Sequence, residues 1–378
     1  MNEAYITKIE KFLPNKPVEN HEMEQYLGLI NEKESKSKSL VLRSNRIKLR
    51  YYALDKNGNS THSNAELAAE AIKKLTDEEF GLKDIELLTA GTSSPDVIQP
   101  SHALQVHGVL GNKPMEVMAS HGTCNAGMLS LKYSWMAILS GLVTNSVATA
   151  SEKLSSWMHA RNFKSEIDKR KELENNPYIA FEKDFLRWML SDGAAAMLVK
   201  NKPSANGLSL KIEWIEVRSY ANQLKACMYA GCDTDENGNL TGWREFPGEV
   251  QLEKSVFSLR QNVKLLQNNI VRLGVDFTVE LFKKYNIEPD TISYLLPHLS
   301  SMFFYKPIID EFENRGFKIP EEKVFTNLTR VGNVGAASPF LMLEELFNSG
   351  KLKAGDKILL MVPESARFSY SIALFTAV

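Results

Sequence analysis

Cysteine is scarce in this chain: three residues in 378, at Cys124, Cys227 and Cys232. Three thiols cannot staple a chain of this length, and their spacing makes no paired CxxC zinc pattern. The expected compartment is therefore a reducing cytoplasm. Long apolar runs are missing too. None reaches the ~18 residues that cross a bilayer, and the start MNEAYITKIEKFLP lacks the basic-then-apolar order of a secretory signal. Neither sign of charge is in excess: 45 Lys and Arg against 46 Asp and Glu leave a net charge of −1. Without a global basic field, bulk binding to nucleic acid is not expected. No metal-ligand cluster stands out, so the expected site works without a metal.

What is present is the composition of a globular protein, 43% hydrophobic and 24% charged. Strand-like runs alternate with helical patterns: IELLTAGT (85–92), SHALQVHGVLG (101–111), MEVMAS (115–120), the largely apolar NAGMLSLKYSWMAILSGLV (125–143), NSVATASE (145–152) and AAAMLVK (194–200). The rhythm returns later, with helices predicted at about 256–285, 304–315 and 336–349. Between and after them come strands TISYLLPH (291–298), KVFTN (323–327), KILLMVP (357–363) and SYSIALFTAV (369–378). This predicts an α/β fold with a covered, mostly parallel or mixed sheet. Two stretches break the rhythm: the charge-dense 154–190, and 218–250 with its turn-rich DTDENGN. Each reads equally well as an ordered cap over the core or as solvent-facing decoration.

Cys124 stands in ASHGTCNAGM, between a predicted strand and a predicted helix. Buried cysteines are commonly inert, but a thiol at a helix N-terminus meets unpaired N–H groups and a favourable dipole. Both lower its expected pKa. Gly122 and Gly127 are expected to permit close backbone approach there. Such a turn suits acyl transfer, with a thiolate attacking a thioester and a backbone N–H holding the oxyanion. Two groups in the second half occupy comparable places. His298 ends the strand ISYLLPH, and Asn333 sits in the Gly-flanked loop RVGNVGAAS (330–338). The ends of strands are where open α/β sheets collect ligands. His121, three residues before Cys124, reads as a loop residue.

In order along the chain, SNRIKLRYY (44–52), LLTAGTSSPDVIQPSHALQVHGVLG (87–111), GTCNAG (122–127), ASEKLS (150–155), LSDGAAAMLV (190–199), PHLSS (297–301) and GNVGAAS (332–338) resemble segments of the β-ketoacyl-acyl carrier protein synthase III branch of the thiolase superfamily. The resemblance implies a thiolase-like five-layered αβαβα fold of two similar halves. Residues 1–205 would carry the nucleophile, with an insertion at 154–190, and residues 206–378 would carry His and Asn. It implies a ketosynthase in fatty acid or polyketide-type biosynthesis, with Cys124 taking the primer acyl group. His298 and Asn333 would donate to the thioester carbonyl of the incoming unit. The oxyanion hole would be Cys124 with Ser365 or Ala366. It implies acyl-coenzyme A or acyl-carrier protein thioesters as substrates, no bound cofactor, acyl carrier protein as partner, and a homodimer. Candidate docking residues for that acidic carrier are Arg43, Arg46, Lys48 and Arg50, or Lys164, Lys169 and Arg170. An acyltransferase of the same fold, without condensation, is the alternative activity.

The chain departs from the family at several places. Leu40 takes the place of a tryptophan that stacks on coenzyme A, and Arg46 that of a glycine. Ser301 replaces an asparagine, and the Gly-rich loop near the C-terminus reads PESARFS (363–369). These departures resemble a subgroup that joins a β-ketoacyl thioester to an unsaturated acyl thioester, on the way to dialkylresorcinols through cyclohexanedione precursors.

Overall fold

The computed structural model describes residues 2–32, 34–35, 37–163 and 186–378. Its frame is a nine-stranded mixed sheet: β1 (Tyr5–Phe12), β2 (Leu87–Thr92), β3 (Glu116–His121), β4 (Asn145–Glu152), β5 (Gly193–Lys200), β6 (Leu210–Ser219), β7 (Tyr294–Pro297), β8 (Lys357–Glu364) and β9 (Ser369–Ala377). The spatial order is β7-β8-β9-β6-β1-β5-β4-β2-β3. Among the described residues, seven helices have eight residues or more: α1 (Lys38–Asn45), α2 (Asn64–Lys74), α3 (His102–Leu110), α4 (Asn125–Ser140), α5 (Val263–Tyr285), α6 (Tyr305–Asn314) and α7 (Ser338–Phe347).

Strand chemistry follows position. β2 (LLTAGT) and β4 (NSVATASE) are buried on both faces, as central strands flanked by helices must be, and their residues are small, branched or apolar. β3 lies at the sheet edge and is largely exposed. The helices carry their own start and stop signals. A Ser63–Glu66 capping box opens α2, and Asn262 caps α5. Gly111 and Gly141 close α3 and α4 in the left-handed conformation.

The sheet has an internal repeat. Outward from β1, the neighbours run antiparallel to β5, antiparallel to β4, then parallel to β2 and β3. Outward from β6 they run antiparallel to β9, antiparallel to β8, then parallel to β7. A single parallel bridge from Leu295 to Val324 completes the second series. KVFTN, expected as a strand, is therefore reduced to that bridge, beside a 3-10 turn at Glu321–Lys323. The two series join through only two residue pairs, Tyr5 with Lys211 and Ile6 with Leu210.

Three apolar clusters show the layering. One holds α2 and α3 residues (Leu67, Ile72, Val106) against Leu88, Val147 and Ala196. The second lies between the two sheet series: Met128 and Leu131 of α4 and Phe340 and Leu343 of α7 meet Ile6, Met197, Leu360 and Phe375. The third packs α5 and α6 (Leu273, Phe282, Phe312) against Leu359, Met361 and Ile372. Helices, sheet, helices, sheet and helices make the five-layered αβαβα arrangement. The long helix expected from 256 begins only at Val263; a shorter one, Gly248–Glu253, precedes it. Within the described part of 154–190, the buried Arg187 side chain donates to the Met158 and Leu27 carbonyls. Lys164, Lys169 and Arg170 lie outside the described residues.

Candidate active site

Cys124 occupies the N-cap position of α4, with two residues between it and the end of β3. The first turn of α4 is pressed into its neighbours. A Cβ on Gly127 would stand 2.4 Å from the Ala336 carbonyl oxygen and 2.8 Å from Ala150 Cβ. One on Gly91 would stand 2.2 Å from the Ala126 oxygen. Gly127 is therefore required for the close approach that seats Cys124. Gly122 is not, because its added Cβ would find only Ala126 Cβ, at 3.9 Å.

Cys124, His298 and Ser365 line one cleft, whose other walls are largely apolar: Leu266, Ile270 and Val271 from α5, Phe304, Ile308, Met361 and Pro363. His298 follows β7 directly, and its backbone N–H donates to Met361 O at 2.8 Å. Its ring is buried, and Nε2 has no hydrogen-bond partner. Burial lowers its pKa to about 4, so it is neutral at physiological pH.

The thiol behaves differently from the expectation at a helix N-terminus. Burial first, then the carboxylates of Glu364 and Glu152, push the Cys124 pKa up to about 12. Desolvation and two negative charges outweigh the helix end, and the resting group is a neutral thiol. A neutral thiol therefore faces a neutral imidazole across the cleft.

Asn333 is buried but is not on the cleft wall. Its backbone bridges Leu190, accepting from Ser191 N–H at 2.9 Å and donating to Met189 O at 3.0 Å. Its Oδ1 accepts from the Gly335 N–H at 3.1 Å. The same turn is fixed by Glu152, a fully buried carboxylate that accepts from the Ala336 and Ser93 N–H groups and from the Ser93 and Ser94 hydroxyls. Sequence reasoning passed over Glu152, although a glutamate ending the small-residue strand NSVATASE was its signal. Glu364 and Thr123 were passed over as well: Thr123 Oγ1 donates to Glu364 Oε1 at 2.7 Å beside the nucleophile.

In the PESARFS loop, Ala366 O accepts from Cys227 N–H at 2.7 Å and Met228 N–H at 3.1 Å, which fastens the turn beside the cleft. Arg46 is left-handed (φ 55°) at the place of the family's glycine, and Ser301 Oγ accepts from Phe303 N–H. Leu40 is exposed on α1. Arg43, Arg46 and Lys48 are exposed, but Arg50 is fully buried, its guanidinium donating to Asn20 Oδ1 and Trp188 O. Arg50 thus leaves the docking cluster, because a side chain spent inside the core presents no charge to a partner. Cys227 and Cys232 form no disulfide and are buried in the segment that holds the PESARFS loop, and Cys227 Sγ donates to Asn262 O. Among the described residues no helix is long and apolar enough to cross a membrane.

A family model described as the C-terminal part of 3-oxoacyl-[acyl-carrier-protein] synthase III matches residues 282–373, which include His298 and Asn333. A β-ketoacyl-[acyl-carrier-protein] synthase III of Clostridium perfringens is 25% identical over 362 residues, 96% of this chain and 95% of that protein. One of Chlorobium phaeobacteroides is 23% identical over 364 residues, covering 95% and 94%. Over nearly its whole length this chain is similar to β-ketoacyl synthase III, and these matches support a condensing enzyme of that kind. The solved structures agree on the fold. The tetronic acid condensing enzyme AbyA1 superposes with a TM-score of 0.77 at 17% identity, over 99% of both chains. OleA of Xanthomonas campestris, with bound lauric acid and lauroyl-CoA, gives 0.73 at 18% identity, over 100% of this chain and 99% of that one.

Proposed function

We propose that this ketosynthase joins an acyl group held on Cys124 to the α-carbon of a carrier-bound malonyl or β-ketoacyl thioester. The observation that carries the reading is the shared cleft: Cys124, His298 and the Ser365 turn meet on one apolar wall. In the first half-reaction Cys124 Sγ attacks the acyl thioester carbonyl and the donor sulfur leaves. The thiol proton goes to the leaving sulfur by way of His298, whose neutral ring can accept and return it. The N–H of Cys124 and that of Ser365 or Ala366 hold the oxyanion.

In the second half-reaction His298 and Asn333 donate to the thioester oxygen of the second unit and stabilise its enolate. With a malonyl unit the enolate forms as carbon dioxide leaves; with a β-ketoacyl unit it forms as the α-proton is lost, which ends on the departing Cys124 sulfur. The enolate carbon bonds to the acyl carbon as the Cys124 C–S bond breaks. One feature of the cleft favours this over plain acyl transfer: His298 Nε2 is unpartnered. Asn333 is the second proposed donor, from behind the cleft wall, and its occupied Oδ1 leaves Nδ2 to donate.

Acyl carrier protein is the proposed partner, docking on Arg43, Arg46 and Lys48. α1 packs against the turn Met302–Phe304, and Phe304 lines the cleft, so the cluster stands near it. The exposed edge strand β3 supports a homodimer formed through the sheets. The repeat in the sheet supports a division into residues 1–205 and 206–378, with 205 between β5 and β6. The PESARFS turn supports the subgroup that makes dialkylresorcinol precursors, and cysteines that form no disulfide support a cytoplasmic setting. Intact-mass analysis after incubation with acyl-coenzyme A and acyl-carrier thioesters tests the reading. A mass increase lost in Cys124→Ala is expected, followed by a condensed product when a malonyl or β-ketoacyl carrier is added. Loading without any condensed product would leave an acyltransferase, and a linear product alone from a β-ketoacyl donor would remove the subgroup assignment.

A further inference from the structure

Glu364 ends β8 next to the nucleophile turn, in the loop where this chain departs from its family. Its Oε1 accepts from Thr123 Oγ1 at 2.7 Å, and its Oε2 accepts from Ser369 Oγ. Ser369 Oγ in turn accepts from Asn125 Nδ2 at 2.8 Å. The residues before and after Cys124 are therefore both bonded to one carboxylate–hydroxyl pair on the β8–β9 hairpin. The hairpin register pairs Glu364 with Ser369 directly, so the pair is built by the strands themselves. Pro363 and Ser365 line the cleft while Glu364 between them does not, as strand alternation requires. Among the described ion pairs Glu364 has no cationic partner.

We propose that Glu364 is a positioning residue for Cys124, clamping both neighbours of the nucleophile to the β8–β9 hairpin and holding the thiol in its protonated form until an acyl donor enters. The inference rests on the ketosynthase reading for its purpose, but its geometry is independent of the acyl group. The titratable groups that face Cys124 are Glu364 from β8, Glu152 from the end of β4 and, across the cleft, His298 after β7. Glu152 is fully buried and bonded to the Ser93, Ser94 and Ala336 groups. Glu364 is only half-buried and bonded to the nucleophile's own neighbours. Of the two carboxylates it is thus the one that links the state of the hairpin to that of the thiol. A negative charge next to a thiol disfavours the thiolate, and a neutral thiol is spared alkylation and oxidation between turnovers.

The test is the rate at which iodoacetamide alkylates Cys124 in the full chain, followed by intact mass from pH 7 to 9, with acyl loading measured in parallel. Glu364→Gln removes the charge and keeps the length; it is expected to speed alkylation about tenfold across this range, the gain from lowering a thiol pKa by about one unit. Thr123→Val cuts one arm of the clamp and keeps the charge; it is expected to slow acyl loading about tenfold and to leave the alkylation rate near that of the parent. Equal acceleration in both variants would mean a merely loosened turn and would overturn the proposal, as would an unchanged rate in Glu364→Gln. Should Glu364→Gln unfold, Ser369→Ala, which removes one bond to the carboxylate, must slow acyl loading without speeding alkylation, or the clamp is wrong. If the parent loads no acyl group from any donor while the alkylation pattern holds, the ketosynthase reading fails and the positioning role of Glu364 stands.

Discussion

The turn that carries Cys124 and the turn that carries Asn333 occupy matching places in the two sheet repeats, each leading into a buried helix. Each is held by the opposite repeat. The neighbours of Cys124 bond to Glu364 and Ser369 of the second. The Asn333 turn bonds to Met189, Ser191 and Glu152 of the first. Yet the means differ: hydroxyl and carboxylate side chains at Cys124, chiefly backbone groups and one fully buried carboxylate at Asn333. The nucleophile follows a complete strand at an exposed edge, while Asn333 comes after a single bridge at Val324. The strands of the two repeats pair directly at Tyr5 with Lys211 and Ile6 with Leu210, and the Asn333 turn bridges to Leu190. Their mutual alignment at the site rests on the apolar layer between them, on these crossed bonds and on the close contact of Gly127 with Ala336. One turn carries the reacting atom and is held by side chains; the other carries a proposed donor and is held chiefly by backbone groups.

The largest effects should come from the donors. Substituting His298 or Asn333 by Ala is expected to lower condensation by roughly 10²–10³-fold while affecting Cys124 loading less. Steady-state product formation set against single-turnover loading checks this. Equal loss in both steps would break the assigned division of labour.

The close contact between the two turns gives the next effect. Gly127→Leu should cost about 3 kcal/mol or more in denaturant-induced unfolding, because overpacking against a carbonyl cannot relax through a flexible side chain. Gly122→Ala, with open space at its Cβ, should stay within about 0.5 kcal/mol. A similar cost at both positions would mean that the contact with Ala336 is not what seats the nucleophile.

Acid should also tell the turns apart. The folded pKa of His298 is about 4, below its ordinary 6.5, so the unfolded chain takes up the proton first as pH falls. Its contribution to stability is complete above pH 6.5 and is lost down to about pH 4. His298→Gln should remove up to about 3 kcal/mol of that acid-dependent loss, as read from urea midpoints across the window. Asn333→Ala should leave the slope unchanged, since the amide does not titrate.

The smallest effect is expected at the surface. Replacing Arg43, Arg46 and Lys48 together by Ala should raise the KM for acyl carrier protein several-fold at low salt, about 1 kcal/mol in all, and less at high salt. Arg50→Ala should instead lower stability, because Asn20 and the Trp188 carbonyl would lose a buried donor.

Much of the layout was legible in local pattern. The small-residue strands, the apolar helix after Cys124 and the Gly caps at 111 and 141 all follow from side-chain period and turn chemistry, which neighbours in sequence share. The family's segments, in order, marked Cys124, His298 and Asn333. Two central strands were not anticipated. β1 and β6, which join the repeats, read as ordinary mixed-polarity sequence, because each carries charged residues between its buried ones. KVFTN has strand composition but gains only one bridge.

The sequence by itself determined which residues can do chemistry and which element each one ends. Only the tertiary structure decided the state in which they do it. Burial and two carboxylates from distant strands make Cys124 a neutral thiol, against the helix-end expectation. The same folding takes Arg50 out of the basic cluster and sets Glu364 against Thr123, 241 positions away. Desolvation and through-space charge depend on what surrounds a group in three dimensions, and no spacing along the chain encodes them.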